Sequence, residues 1–110
     1  MTRLLVLAVA VGLGAAAFPA MADDTGFAIL HDLRREGGRT CFLDHYHYGS
    51  SSGMPSRRTA EIDALKAWST FVDFEYGSDW ARVPRAASKS IRCENSGGSW
   101  GCQIEARPCR

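Results

Sequence analysis

Ser90-Ile91-Arg92-Cys93-Glu94-Asn95-Ser96-Gly97-Gly98-Ser99-Trp100-Gly101-Cys102-Gln103-Ile104-Glu105 is the stretch whose reading decides the fold. Gly97-Gly98 between two alternating runs is a two-residue hairpin loop, and a type I′ turn needs positive φ at both central positions. Folding about that point pairs Ser96 with Ser99, Glu94 with Gly101, Cys93 with Cys102 and Ile91 with Ile104. One face then carries Ile91, Cys93, Trp100, Cys102 and Ile104, and the other Arg92, Glu94, Gln103 and Glu105. That alternation is what a half-buried antiparallel pair requires. In this register Cys93 and Cys102 occupy a non-hydrogen-bonded position, where the Cα atoms approach to about 4.5 Å, short enough for a disulfide.

Only two further cysteines exist, Cys41 and Cys109, so the hairpin pairing leaves them to each other. The four cysteines are separated by 51, 8 and 6 residues, which lacks the paired C-x-x-C spacing of a zinc site. An even cysteine count in a small exported chain reads as disulfides. By loop-closure entropy, Cys93–Cys102 contributes roughly 2.7 kcal/mol and Cys41–Cys109, which closes a much longer loop, about 4.4 kcal/mol.

Export is read from the other end. Met1-Thr2-Arg3 supplies one positive charge, Leu4 to Ala17 is an apolar and glycine run, and Ala20-Met21-Ala22 offers a signal-peptidase site. The run is short for a span of hydrocarbon, which takes about 20 residues. Residues 1–22 are therefore expected to be a cleaved signal peptide and residues 23–110 a single small disulfide-stabilised domain in the periplasm or the extracellular medium. Cleavage leaves 88 of the 110 residues and removes Arg3, so the 13 basic residues become 12, balanced by 12 acidic ones. A neutral domain has no long-range field to gather nucleic acid or an anionic membrane, and neither partner is expected. A chain this short also excludes a multidomain enzyme.

The middle of the chain holds the clearest helix, over 56–76. Ser56 caps it, Leu65, Trp68, Phe71 and Val72 form its apolar stripe, and Gly77 supplies a left-handed stop. Thr25 to Glu36 reads as a shorter helix ended by Gly37-Gly38, and Arg39 to Tyr48 as one strand. In that strand Cys41, Leu43, His45 and His47 face one side and Phe42, Asp44, Tyr46 and Tyr48 the other. Ser78 to Ala87, with Pro84, reads as a loop. The expected fold is α+β: short helix, strand, long amphipathic helix and C-terminal β-hairpin. Its three-stranded antiparallel sheet carries the long helix on one face, with two disulfides.

The segment Asp44-His45-Tyr46-His47-Tyr48-Gly49-Ser50-Ser51-Ser52-Gly53 adds a resemblance. With Glu75-Tyr76-Gly77, Trp100-x-Cys102 and Ala106-Arg107-Pro108-Cys109, the chain resembles small exported alphaproteobacterial proteins of unknown function over roughly residues 31 to 110. The resemblance implies export and a shared fold, and it carries no catalytic residue with it.

Four features bear on function. Gly49-Ser50-Ser51-Ser52-Gly53 matches G-x-S-x-G, but all three histidines precede the serine and the chain cannot build the parallel sheet such an elbow needs. His45-x-His47 places two imidazoles on one side of a strand; the expected reading is a hydrogen-bonded packing pair with no cofactor, and the alternatives are an acid/base pair or a shared transition metal. His31 and Asp44 are the nearby third ligands. Arg82, Arg85, Lys89 and Arg92, with Trp80, make a loose basic run suited to an anionic glycan, peptidoglycan stem or nucleotide, or to solvent. Tyr46, Tyr48, Arg57 and Arg58 concentrate aromatic and basic character in the 44–58 segment, with both arginines where a helix dipole disfavours cations. No catalytic constellation is complete. The expected function is a non-catalytic, monomeric binding module for an unknown protein or cell-envelope ligand, with a metal-binding protein as the alternative.

Overall fold

The computed structural model describes Gly12, Ala28, Leu30 and residues 31–110; the expected signal peptide, apart from Gly12, lies outside the described residues. Among the described residues five strands and one long helix follow in order. They are β1 (Leu33–Glu36), β2 (Arg39–Phe42), β3 (His47–Ser50), α1 (Arg57–Tyr76), β4 (Ala87–Ser96) and β5 (Ser99–Arg107). β3, β5 and β4 form a three-stranded antiparallel sheet in that order, while β1 and β2 pair separately. The α+β plan, with the long helix on one face of the three-stranded sheet, is the one the sequence implies.

The β4–β5 hairpin has the expected register, with Cys93 opposite Cys102, Ile91 opposite Ile104 and Ser96 opposite Ser99. Gly97 and Gly98 both hold positive φ, 61° and 83°, and the Asn95 side chain accepts from the Gly98 N–H. Both disulfides form as paired above, each with Cα atoms 4.0 Å apart.

α1 starts where the sequence places it. Ser56 sits in extended backbone and its Oγ accepts from the Thr59 N–H, while Thr59 Oγ1 accepts from the Ser56 N–H. The reciprocal pair satisfies two N-terminal donors that the helix itself cannot. The buried stripe is narrower and shifted from the expected one: Ala60, Ala64, Trp68, Val72 and Tyr76, spaced by four, are buried, whereas Phe71 is 43% exposed. The small residues matter because the sheet comes close. A Cβ on Gly49 would lie 2.8 Å from Trp68 Cβ, so glycine in β3 lets the helix seat directly on the strand. Trp68 Nε1 then donates to His47 O. The helix stops at Gly77 with φ 99° and ψ 163°, an extended positive-φ exit instead of the expected left-handed helical one. The expected loop that follows contains two single-turn 3-10 segments, Ser78–Trp80 and Val83–Arg85.

Two expectations are corrected. Leu33–Glu36, the end of the expected short helix, is a strand turning tightly on Gly37-Gly38. The expected 39–48 strand breaks after Phe42: Leu43–Tyr46 is irregular, β2 pairs with β1, and β3 pairs with β5. The sides assigned to that strand fail with it, since Cys41 and Phe42 are both fully buried. The cause is tertiary. Cys41 is tied to Cys109, while Phe42 stacks on Trp80 at 4.7 Å between ring centroids.

Arg107 locks the small hairpin to the main sheet. Its Nη1 and Nη2 donate to the two Glu36 carboxylate oxygens at 2.6 and 2.7 Å, and Nη1 also reaches Phe42 O. The hydrogen bonds from Arg107 hold the Glu36 carboxyl down at about 2, Arg34 adding to the effect. A bidentate pair of this kind fixes geometry as well as charge. Thr40 and Arg110 exchange both backbone hydrogen bonds beside the Cys41–Cys109 bridge.

Candidate functional site

Two places gather chemistry-bearing groups: an aromatic–histidine cluster under the first turn of β3, and a polar cleft on the opposite face of the sheet.

The cluster is built around His47. As the first residue of β3, opposite Ala106, it faces the helix and is 8% exposed. Tyr76, in the last turn of α1, lies with its Oη 2.5 Å from His47 Nε2. His45 packs edge-on against His47 at 4.6 Å between centroids, and His31 lies 4.4 Å from His45 while stacking on Phe42. Burial lowers the His47 pKa to about 4, and the neighbouring imidazoles of His45 and His31 push the same way. Burial, then His31, also lowers His45, against the opposing charge of Glu75. Burial raises the Tyr76 phenol to about 12, with Glu75 adding to it. At neutral pH the pair is therefore a phenol O–H donating to a neutral imidazole Nε2. Such a neutral pair is a buried hydrogen bond within an aromatic core.

The structure thus brings His45 and His47 together, although not by strand alternation, because His45 lies in the break between β2 and β3. His47 Nε2 is occupied by Tyr76. Among the described residues no group of three or more His, Cys, Asp or Glu side chains is arranged to hold a metal ion.

The expected binding residues sit on different layers. Tyr48, 55% exposed, alternates with the inward Gly49 and so lies on the outer sheet face opposite Glu105, while Tyr46 is half exposed in the break before β3. Arg57 and Arg58 stand on the first turn of α1, on the other side of the sheet. Arg57 Nε donates to Glu61 Oε1 at 3.1 Å, an i,i+4 pair that offsets its unfavourable place at the helix start. The basic run is dispersed as well. Arg82 pairs with Asp79, Lys89 Nζ donates to Val83 O, Arg85 reaches Gly38 O, and Arg92 turns to the outer sheet face. Trp80 is buried, with the Arg110 guanidinium 5.4 Å above its ring.

The serine loop has a structural task. Ser51 Oγ donates to Ala60 O at 2.6 Å and accepts from the Cys102 N–H at 3.1 Å, and the Ser51 N–H donates to Cys102 O. Its hydroxyl is committed to holding the loop between helix and sheet, and no histidine holds it as a nucleophile. Met54 and Trp100 exchange backbone hydrogen bonds, extending this edge beyond β3. The loop and the hairpin together enclose a cleft of about 720 Å³ whose lining includes Ser50, Ser52, Arg92, Glu94, Trp100 and Gln103. The sequence places Arg92, Glu94 and Gln103 on the polar face of the hairpin, without the loop that walls them in. The missed signal was Gly101, where a Cβ would lie 2.8 Å from Ser51 O, marking a close crossing of two chains.

No family model, curated protein or solved structure matches this chain. Among the described residues no helix is long and apolar enough to cross a membrane.

Proposed function

We propose that the protein is an exported, non-catalytic binding module that takes a polar cell-envelope ligand in the cleft on the outer face of the β3–β5–β4 sheet. The cleft carries this reading. Its lining offers hydroxyl, carboxamide, guanidinium and carboxylate groups, the mixture that orients a hydroxyl- and amide-bearing ligand. The side chains of Ser50, Ser52, Arg92, Glu94 and Gln103 make no hydrogen bond or ion pair with other described residues, so their bonding capacity is available to a ligand. The walls are held by the Cys93–Cys102 disulfide and the Ser51 and Met54 locks, which reduces the ordering cost of binding. Export is supported by the pairing of all four cysteines, and by the resemblance to small exported alphaproteobacterial proteins.

The test is a nuclear magnetic resonance titration of the oxidised protein with soluble peptidoglycan fragments. Shifts confined to Ser50–Gly53 and the facing residues of β4 and β5, lost in Gln103→Ala, are expected. Silence at millimolar ligand, or shifts centred elsewhere, would remove the reading.

The alternative, a transition metal bound through His45 and His47, is favoured by one observation, the 4.6 Å approach of the two rings. Metal retained by the wild type and lost in His45→Gln supports it. A wild-type protein that takes up no zinc or copper excludes it.

A further inference from the structure

β4 is an open edge. In the order β3–β5–β4 it has one strand neighbour among the described residues, and eight of its ten residues are exposed. The helix packs mainly on β3 and β5, leaving this border clear. Exposed edges of this length are usually blunted by prolines, clustered lysines or a covering loop. Here Ser90–Ser96 contains neither proline nor lysine, and the one irregularity, the register shift between Ala87 and Ser90, lies upstream of it.

The direction of the edge's hydrogen-bonding groups follows from its partner. Cys102 directs its N–H and C=O toward Ser51, and Trp100 exchanges both its backbone bonds with Met54, so neither turns toward β4. Cys93/Cys102 and Asn95/Trp100 are therefore the non-hydrogen-bonded pairs of the hairpin, and by alternation Ile91/Ile104 is another. The backbone N–H and C=O groups of Ile91, Cys93 and Asn95 accordingly point outward.

We propose that two copies of this chain pair antiparallel along β4, about a two-fold axis at Cys93, into a continuous six-stranded sheet. In this register Cys93 exchanges backbone hydrogen bonds with Cys93 of the partner subunit, and Ile91 does so with Asn95 of the partner subunit. The segment Ser-Ile-Arg-Cys-Glu-Asn-Ser is self-complementary about its centre: Arg92 falls opposite Glu94 of the partner subunit, twice. Those two positions are non-hydrogen-bonded across the new border, where side chains approach most closely and opposite charges stabilise. Moving the two-fold axis by one residue either way, a two-residue slip between the strands, sets Arg92 against itself or Glu94 against itself, and moving it by two leaves both charges unpaired. Within the chain neither Arg92 nor Glu94 has an ion pair or hydrogen bond among the described residues. An isologous contact of this kind closes on itself, giving a dimer and not a fibre. The dimer replaces the expected monomer and sets two clefts side by side on one face. It commits Arg92 and Glu94 to the border between the copies and leaves Ser50, Ser52 and Gln103 to the ligand, so Gln103→Ala tests the cleft and the charge swaps test the dimer.

Sedimentation equilibrium of the oxidised protein reads the mass directly. Twice the chain mass is expected, with Arg92→Glu and Glu94→Arg each weakening association by about tenfold or more. The decisive measurement is rescue. The double variant Arg92→Glu/Glu94→Arg restores the charge pairs only in this register, as does mixing the two single variants. A wild type that stays monomeric to millimolar concentration overturns the proposal. So does a dimer indifferent to both single substitutions, or one that the double variant fails to restore.

Discussion

The molecule contains two hairpins that turn on the same dipeptide, Gly37-Gly38 and Gly97-Gly98, and only one of them is visible in the sequence. Around Gly97-Gly98 the strands alternate apolar and polar residues over seven positions each, so local pattern, turn chemistry and cysteine spacing agree. Before Gly37-Gly38 stands Leu33-Arg34-Arg35-Glu36, four residues with no alternation and good helix propensity. That strand exists because of what it touches. Cys41 is bonded to Cys109, and Glu36 receives both terminal nitrogens of Arg107. One hairpin is specified by its own residues, the other by contacts reaching across 68 and 71 positions.

The strongest way to break the comparison is to remove each staple in turn. Cys41→Ser/Cys109→Ser is expected to cost about 4 kcal/mol, and hydrogen exchange should then show β1 and β2 losing protection while β4–β5 keeps it. Equal loss of protection in both hairpins would mean that Leu33–Phe42 has no special dependence on the bridge.

Next in size is the pH dependence of the link between the hairpins, where the chain leaves β2 and enters β3 at His47. In the unfolded chain this imidazole titrates near 6.5, and in the fold its pKa is lowered to about 4. Below pH 6.5 the unfolded state therefore binds the proton that the native state refuses, and stability falls as pH drops from 6.5 toward 4. The total is roughly 3 kcal/mol. Urea midpoints between pH 7 and 4 should decline accordingly, and the slope should flatten in His47→Gln. An unchanged slope would place the acid sensitivity elsewhere. Glu36, held at about 2, adds its own loss only below about pH 4.5.

Cys93→Ser/Cys102→Ser follows, at about 2.7 kcal/mol, because the bridge closes a short loop within strands that already pair. The β4–β5 register should persist in the reduced variant, read from cross-strand nuclear Overhauser contacts between Ile91 and Ile104. A slipped register would show that the disulfide, and not the alternation, sets the pairing.

These differences explain what the sequence disclosed. The helix bounds were legible because Ser56 and Gly77 act locally, through a cap and a positive-φ exit. The buried face was misjudged at Phe71 because the close approach of Gly49 to Ala64 and Trp68 turns the small-residue side of α1 toward the sheet, and only the paired element reveals that. Among the candidate site residues, the His45–His47 proximity was anticipated for the wrong reason. Strand alternation predicts it, whereas an irregular segment folds the two rings together. Tyr76, the hydrogen-bond partner of His47, was 29 positions away and carried no signal. The polar cleft was half legible: its floor is the hairpin's alternation, but its wall depends on Ser51 crossing Gly101.

The smallest expected effect separates the turns themselves. Gly97 and Gly98 hold φ of 61° and 83°, the pattern of a type I′ turn, so alanine at either is expected to cost about 1 kcal/mol. At the other hairpin Gly37 holds φ of 63° while Gly38 lies outside the positive region, and a Cβ on Gly38 would meet nothing within 4 Å. That is the requirement of a type II′ turn, in which only the first central residue needs glycine. Gly37→Ala should therefore destabilise like Gly97→Ala, whereas Gly38→Ala should be neutral or stabilising by about 0.5 kcal/mol, since it restricts the unfolded chain without straining the fold. Urea midpoints of the four single variants test this pattern. A cost at Gly38 equal to that at Gly98 would make the two turns alike, and the contrast between the hairpins would then rest on their strands and staples alone.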